Sequence, residues 1–198
     1  MQEDIDFLET LASQAAVAIE NSRLFEESTT DGLTGLYHQK FFKTRLRAEF
    51  ERASRHDHIM VILLVDIDHF KKVNDVHGHL TGDNILKGVA RIIHSSFRIE
   101  DVVARYGGEE FAVLLTEPNT EGARDAAERV RKRIESTSFE KGLKITVSVG
   151  MYIYNKESPC TSELELLQNA DDALYRAKDK GRNQVSYFEE ISKIRRVK

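Results

Sequence analysis

The sequence predicts an α+β domain with a central, mostly antiparallel sheet of split βαβ character, flanked by helices. Three observations carry this. Residues 59–65 form a continuous apolar run of strand length, the pattern of a strand covered on both faces. Residues 102–106 and 109–115, both rich in β-formers, flank Gly107-Gly108, which is a strong hairpin signal. Around them lie segments with apolar residues at helical spacing, giving the order strand, helices, hairpin, helix, strand, helix, strand.

Residues 4–28 read as one helix, with Phe7, Leu8, Leu11, Ala12, Ala15, Ala18, Ile19 and Phe25 recurring at helical spacing. Leu8, Leu11, Ala15, Ala18, Ser22 and Phe25 keep the three-four spacing of a coiled coil, with Ser22 as its imperfection. Such a stripe has to be covered by a partner chain, another helix or its own domain. Residues 28–32 break the pattern and mark a boundary. A helix is expected at about 38–55, with Phe41, Phe42, Leu46 and Phe50 inward. Another is expected at about 83–97, packing through Ile85, Leu86, Val89, Ile93 and Phe97. A third spans about 120–136, with Ala123, Ala127, Val130 and Ile134 inward. Residues 144–150 alternate as a strand, and 184–188 form a short last one. Between them, 162–180 read as a helix with Leu164, Leu167, Leu174 and Ala177 on one face, stopped by Gly181.

At 198 residues the chain holds one sizeable core plus an extension. Its net charge of −4 gives no case for nucleic acid held by bulk electrostatics. Basic residues cluster at 124–133 and 193–198, read as a solvated helix face and a charged tail. Cys160 is the only cysteine, which excludes an internal disulfide and makes a reducing compartment the expectation. It reads as incidental. No run is long and apolar enough to span a membrane, and the first residues lack a signal-peptide pattern. A cytoplasmic location is therefore expected, with room for further domains upstream in a longer parent protein.

The chemistry gathers at two places. In Arg105-Tyr106-Gly107-Gly108-Glu109-Glu110-Phe111, two carboxylates stand beside glycines that remove bulk and accept the positive φ of a tight turn. Such a turn lets backbone and carboxylate approach a phosphate or a metal. Adjacent strand residues point to opposite faces, so Glu109 and Glu110 are expected to have different tasks. The apolar run 59–65 ends abruptly in Asp66-Ile67-Asp68, and carboxylates at the end of a central strand are costly unless solvated, paired or metal-bound. His69-Phe70-Lys71-Lys72-Val73-Asn74-Asp75 follows, then Gly78-His79-Leu80-Thr81-Gly82-Asp83. With Asp31-Gly32-Leu33-Thr34-Gly35-Leu36 before them and Ala177-Lys178-Asp179-Lys180-Gly181-Arg182-Asn183 after, the chain resembles the GGDEF family of diguanylate cyclases, in the GGEEF variant. The resemblance covers roughly four-fifths of the chain. One departure is Tyr37-His38-Gln39-Lys40, where the family continues with Asn-Arg. Residues 11–21 also resemble the last helix of a GAF sensory domain.

The resemblance implies a palm-like fold shared with nucleotide cyclases and polymerases. It divides the chain into a signalling or coiled-coil helix (1–28), a cyclase domain (29–190) and a basic tail (191–198). It implies that two GTP condense to cyclic di-GMP, with Mg²⁺, or Mn²⁺ in its place, on Asp66, the carbonyl of Ile67 and Glu109. Glu110 stands near the metal or supports it, and Lys71 supplies charge for the transition state. The triphosphate is assigned to the backbone of His69 and Phe70 with Lys71, Lys178 and Arg182. Asn74 and Asp83 read guanine, and His79 lines the nucleotide. Arg98 and Asp101 match the family's RxxD inhibitory site, with Arg129 as a second guanidinium. Three residues apart, Arg98 and Asp101 converge only in a turn. The expected partners are GTP, cyclic di-GMP as product and inhibitor, a second copy of the chain and an upstream sensory domain, but neither nucleic acid nor membrane. The alternative is a catalytically inactive receptor for GTP or cyclic di-GMP. A purely structural dimerisation module leaves the many polar matches unexplained.

Overall fold

The structure, a computed structural model, describes residues 11–20, 29–158 and 160–188. Residues 11–20 form a helix, α1, with every side chain exposed. Then follow β1 (Tyr37–His38), α2 (Gln39–His56), β2 (Met60–Ile67), α3 (Phe70–His77), α4 (His79–His94), β3 (Val102–Arg105) and β4 (Glu110–Thr116). The chain continues through α5 (Thr120–Ser136), a 3-10 turn (Glu140–Gly142), β5 (Val147–Tyr154), α6 (Glu163–Asp179) and β6 (Val185–Tyr187). The rest of the expected 4–28 helix, Pro159 and the basic tail lie outside the described residues.

The apolar run becomes β2, buried at every position and central in a sheet of order β1-β3-β4-β2-β5-β6. β2 is antiparallel to both β4 and β5, and β3 to β4, whereas the edge pairs β1–β3 and β5–β6 are parallel. The sheet is therefore mixed, and the α+β expectation holds. Alternate side chains of β2 enter two cores. Val61, Leu63, Val65 and Ile67 meet Ile85, Val89 and Ile93 of α4 and Ala127, Val130 and Ile134 of α5. Met60, Ile62 and Leu64 meet Phe42 and Leu46 of α2 and Leu166, Ala170 and Leu174 of α6. Helices on both faces explain why the run carries no polar alternation. On β5, a Cβ at Gly150 would run into the backbone of Ala170 and Leu174, so this glycine lets α6 lie close to the sheet.

The differences from expectation have local causes. Helix α3 is an element of its own; at 8 residues with only Phe70 buried, it is too short to show a period. Gly78, at φ 84°, breaks the path and lets α4 begin at His79 rather than 83. β5 starts at Val147 and runs to Tyr154, because its ladder with β2 spans Ile67↔Val147 to Met60↔Tyr154. On α6 the inward face is Leu166, Leu167, Ala170, Ala173, Leu174 and Ala177, and Leu164 is exposed. Phe97 lies beyond α4 but still packs on the core. His38, in the stretch that departs from the family, caps α2: its Nδ1 accepts from Phe41 N at 3.1 Å.

Candidate active site

The strand register assembles the acidic site. Asp66, near the end of β2, stands opposite Glu110 of β4 and Ser148 of β5. One residue on, Ile67 N donates to the Glu109 carbonyl at 3.3 Å. Asp66 is buried, and the ammonium of Lys178 in the last turn of α6 lies 2.7 Å from its Oδ2. Burial raises the Asp66 pKa, against the pull of Lys178 and, more weakly, Arg182. Burial and then repulsion from Asp66 raise both Glu109 and Glu110, and Asp171 of α6 adds to the repulsion on Glu110. Both glutamates thus feel the same aspartate. The site carries more negative charge than Lys178 offsets.

That excess, on hard oxygen donors, fits a divalent cation of the Mg²⁺ type. The groups that could hold one are Asp66, the Ile67 carbonyl and Glu109. Among the described residues no three His, Cys, Asp or Glu side chains stand close enough to share an ion. Backbone and phosphate oxygens would have to complete the shell, as is common for Mg²⁺.

The hairpin differs from the two-residue turn expected. The ladder ends at Arg105↔Phe111, and Tyr106 N and Gly107 N both donate to Glu110 O, at 2.8 and 3.1 Å. Neither Gly107 nor Gly108 has a positive φ. Gly107 instead leaves room for the Glu110 carboxylate: a Cβ there would overlap Oε2 in its present position. Arg105, given no role by the sequence reading, grips this loop. Its Nε and Nη2 donate to Gly108 O at 3.2 and 2.8 Å, and its Nη1 donates to Asp31 at 3.2 and 3.1 Å. Asp31 also accepts from Thr34 N and Thr34 Oγ1, at 2.9 and 2.7 Å. Burial pushes the Asp31 pKa up, but the Thr34 bonds and Arg105 outweigh it and hold the carboxyl below its usual value.

The residues expected to hold the nucleotide lie on α3, on α4 and at the end of α6 and the turn after it. His69, at φ 58°, turns the chain from β2 into α3, where Phe70 anchors the helix and Lys71 is exposed. A Cβ at Gly82 would overlap Asn74 Oδ1, so this glycine seats Asn74 against the turn of α4 that carries Asp83. His79 opens α4 and is exposed. Arg182 is not on the helix with Lys178; it lies in the turn beyond, at φ 65°, followed by Asn183 at φ 46°. Asp68, also missed, is buried and accepts from Thr146, Ser148 and Asn183.

Arg98 and Asp101 meet in a turn at the start of β3, the end away from the hairpin. Asp101 N donates to Arg98 O at 3.2 Å, and Arg98 N donates to Asp101 Oδ2 at 2.9 Å. Burial raises the Asp101 pKa. Both residues line a cavity of about 160 Å³ with Arg129, whose Nη2 donates to Ser96 O at 3.1 Å. Cys160 is engaged rather than incidental: its Sγ lies 2.9 Å from Tyr152 Oη and accepts from Asn169 Nδ2 at 3.1 Å.

Comparison with known proteins agrees with this architecture. Diguanylate cyclase A of Treponema denticola is 40% identical over 187 residues, which is 91% of this chain and 50% of that protein. The coiled coil and GGDEF domain of DgcB from Caulobacter crescentus, solved in complex with c-di-GMP, matches with a TM-score of 0.82 at 28% identity, covering 94% of this chain and 100% of that one. The active GGEEF domain of a diguanylate cyclase from Vibrio cholerae matches with a TM-score of 0.73 at 30% identity, covering 77% and 97%. The chain spans between a third and a half of the length of the curated relatives it matches. Residues 28–184, which include every residue placed above from Asp31 to Asn183, match the family described as "Diguanylate cyclase, GGDEF domain", and the chain belongs to that family.

Proposed function

We propose that the protein condenses two GTP molecules into cyclic di-GMP, releasing two pyrophosphates. The observation that carries this is the register of β2 and β4, which sets Asp66 opposite Glu110 and Ile67 against the Glu109 carbonyl, with Lys178 on Asp66, in a member of this family.

Asp83 accepts from the N1 and N2 donors of guanine, and the Asn74 amide donates to O6 or N3. Adenine lacks that donor pair, so Asp83 favours GTP over ATP. The backbone amides at His69 and Phe70 cradle the outer phosphates. Lys71 and Arg182 add positive charge there, and Lys178 offsets both Asp66 and the phosphates. His79 lines the nucleotide. Asp66, the Ile67 carbonyl and Glu109 would hold Mg²⁺ or Mn²⁺, which would supply positive charge to the attacking and leaving oxygens. Glu110 supports that set from the neighbouring position. Each 3′-hydroxyl attacks the α-phosphate of the other nucleotide, and pyrophosphate leaves.

One chain has one acid set and one guanine reader, so the ring product needs two chains face to face, a homodimer. The DgcB structure, which includes a coiled coil and c-di-GMP, supports a paired stalk and binding of the product in general; we assign the first to residues 1–28 and the second to Arg98, Asp101 and Arg129. The SiaD cyclase of Pseudomonas aeruginosa, 34% identical and solved with its activator SiaC, supports control by a partner. No helix among the described residues is long and apolar enough to cross a membrane. A cytoplasmic location suits a GTP-consuming enzyme.

Incubation with GTP and Mg²⁺ at several protein concentrations, followed by nucleotide separation, tests the proposal. Cyclic di-GMP is the expected product. Nucleotide binding without turnover in a dimeric preparation would favour the receptor alternative.

A further inference from the structure

We propose that Asp68 is a positioning residue for the triphosphate, fastening the Arg182–Asn183 turn, and with it the cations Lys178 and Arg182, to the acid-bearing end of β2. The proposal rests on the cyclase reading above.

Asp68 follows Asp66 by two residues and is 5% exposed. Its Oδ1 accepts from Ser148 Oγ at 2.7 Å, and its Oδ2 accepts from Thr146 Oγ1 at 2.7 Å and from Asn183 N at 3.0 Å. Its own N–H donates to Thr146 O at 3.0 Å. The donors thus come from two places: the start of β5 and the turn after α6. A buried carboxylate is stable there because these bonds replace its water.

The turn it holds is strained. Arg182 and Asn183 are consecutive non-glycine residues in the left-handed region, at φ 65° and 46°. Such conformations persist where surrounding contacts impose them. Arg182 N donates to Ala177 O at 3.0 Å, which closes the end of α6. The Asn183 side chain is tied to α5: Nδ2 donates to Glu135 Oε1 at 2.7 Å, and Oδ1 accepts from Arg131 Nη1 at 2.9 Å. Asn183 N is bonded to Asp68 and thereby to the end of the strand that carries Asp66. Four residues before Arg182, in the last turn of α6, Lys178 reaches Asp66. The Asp68 bond therefore sets the spacing between the acids and the two cations. A triphosphate spanning that gap is sensitive to the spacing, because charged donors act at full strength only when held in place.

The geometry fixes Oδ2 as an acceptor, because the Asn183 N–H can only donate to it. In Asp68→Asn that bond loses its charged acceptor, and the Ser148 hydroxyl has to turn from donor to acceptor to meet the NH₂ group.

The test measures binding of two probes by calorimetry in Mg²⁺ on the full chain. One is the α,β-methylene analogue of GTP, whose P–C–P bridge blocks loss of pyrophosphate. The other is GMP, held by the base readers without the outer phosphates. Asp68→Asn is expected to weaken the analogue about tenfold while leaving GMP within about twofold. Thr146→Val, which removes one donor and keeps the shape, should weaken the analogue about threefold in the same selective way and decides the matter if Asp68→Asn does not fold. In an Arg182→Ala background the Asp68→Asn effect should shrink to less than about twofold, the mark of two residues acting as one unit. Equal weakening of both probes, no weakening of either, or full additivity with Arg182→Ala would leave Asp68 a merely structural residue. A wild-type chain that bound neither probe would overturn the cyclase reading itself.

Discussion

Arg105 and Asp31, 74 positions apart in the chain, meet as an ion pair beside the hairpin, with Nη1 3.2 and 3.1 Å from the two carboxylate oxygens. The same guanidinium donates to Gly108 O, so the loop of the acidic hairpin is tied to the segment that leads into the domain. The two side chains are 18% and 23% exposed, so the pair is shielded beyond the usual surface bridge. Arg105→Ala should cost about 2 kcal/mol in urea unfolding and reduce turnover about tenfold, since the loop loses its hold on Gly108. The Asp31 pKa is depressed in the folded state. Its contribution is therefore present above the ordinary aspartate pKa and is lost as pH falls through the folded value. The destabilisation by Asp31→Asn should be full at about pH 7 and shrink below about pH 4.

The acid set has the opposite sign. Burial and Asp66 raise Glu109 and Glu110, so the folded chain holds these protons more tightly than the unfolded chain. The penalty is absent below the ordinary glutamate pKa and grows as pH rises through the raised values. Glu110→Gln should therefore melt higher than wild type at about pH 7, with the two melting curves converging as pH falls below about 4. Glu109→Gln should lose at least about 100-fold in turnover. Added Mg²⁺ should raise the wild-type Tm and leave that of Glu109→Gln unchanged.

Two glycines separate placement from stability. A Cβ at Gly107 meets the far end of the Glu110 side chain, which can swing aside, and the φ at 107 is not in the left-handed region. Gly107→Ala should fold with a Tm close to wild type but turn over GTP at least about tenfold more slowly, because the carboxylate moves. A Cβ at Gly150 meets the backbone of Ala170 and Leu174, which cannot swing. Gly150→Ala should lose about 3 kcal/mol or more by prising α6 from the sheet. Thermal melts read beside turnover assays distinguish the two cases.

Much of the molecule was legible because its signals are local. The run at 59–65 has no polar member, and that alone places β2 in the centre of the sheet. Helix α5 was read with its full bounds because four inward residues keep one period. Helix α3 was not, since two turns with one buried residue show no period. The roles of Asp68 and Arg105 were invisible for another reason: their partners Ser148, Asn183 and Asp31 lie 80, 115 and 74 positions away. A motif reads side chains along the chain, whereas these carboxylate and guanidinium bonds exist only once the sheet has formed. Gly107 was read as a turn glycine, although the space it leaves is taken by a side chain three residues on.

The turn of Arg98 and Asp101 gives a regulatory prediction. It lies at the opposite end of β3 from the hairpin and faces the cavity it shares with Arg129. Arg98 has its guanidinium at the surface, 78% exposed and 3.8 Å from the Glu100 carboxylate, so an anion that binds there displaces only an exposed ion pair. Arg98→Ala should leave initial turnover within about twofold of wild type and raise the cyclic di-GMP concentration for half inhibition at least about tenfold. Inhibition curves recorded with added cyclic di-GMP check this. An unchanged curve would place the inhibitory site elsewhere.

The final prediction concerns how two chains come to face each other. In α1, Leu11, Val17 and Ile19 are 45%, 61% and 69% exposed, an apolar display that a lone chain leaves in water. Burying such side chains against a second copy is favourable, at about 25 cal/mol per Å² of apolar surface. Pairing through the helix converts the meeting of two active sites into an intramolecular event at high effective concentration. Asp31, which follows the helix in the sequence, holds Arg105 and through it the Gly108 loop. A chain shortened to begin at Ser28 should show specific activity that rises steeply with enzyme concentration, because its dimers form only at encounter. The full chain should show a flatter dependence over the same range. Assays from nanomolar to micromolar enzyme, read beside sedimentation, distinguish the two. Equal and concentration-independent activity of both chains would remove the helix from the mechanism and leave the assignment of Asp66 and Glu109 intact.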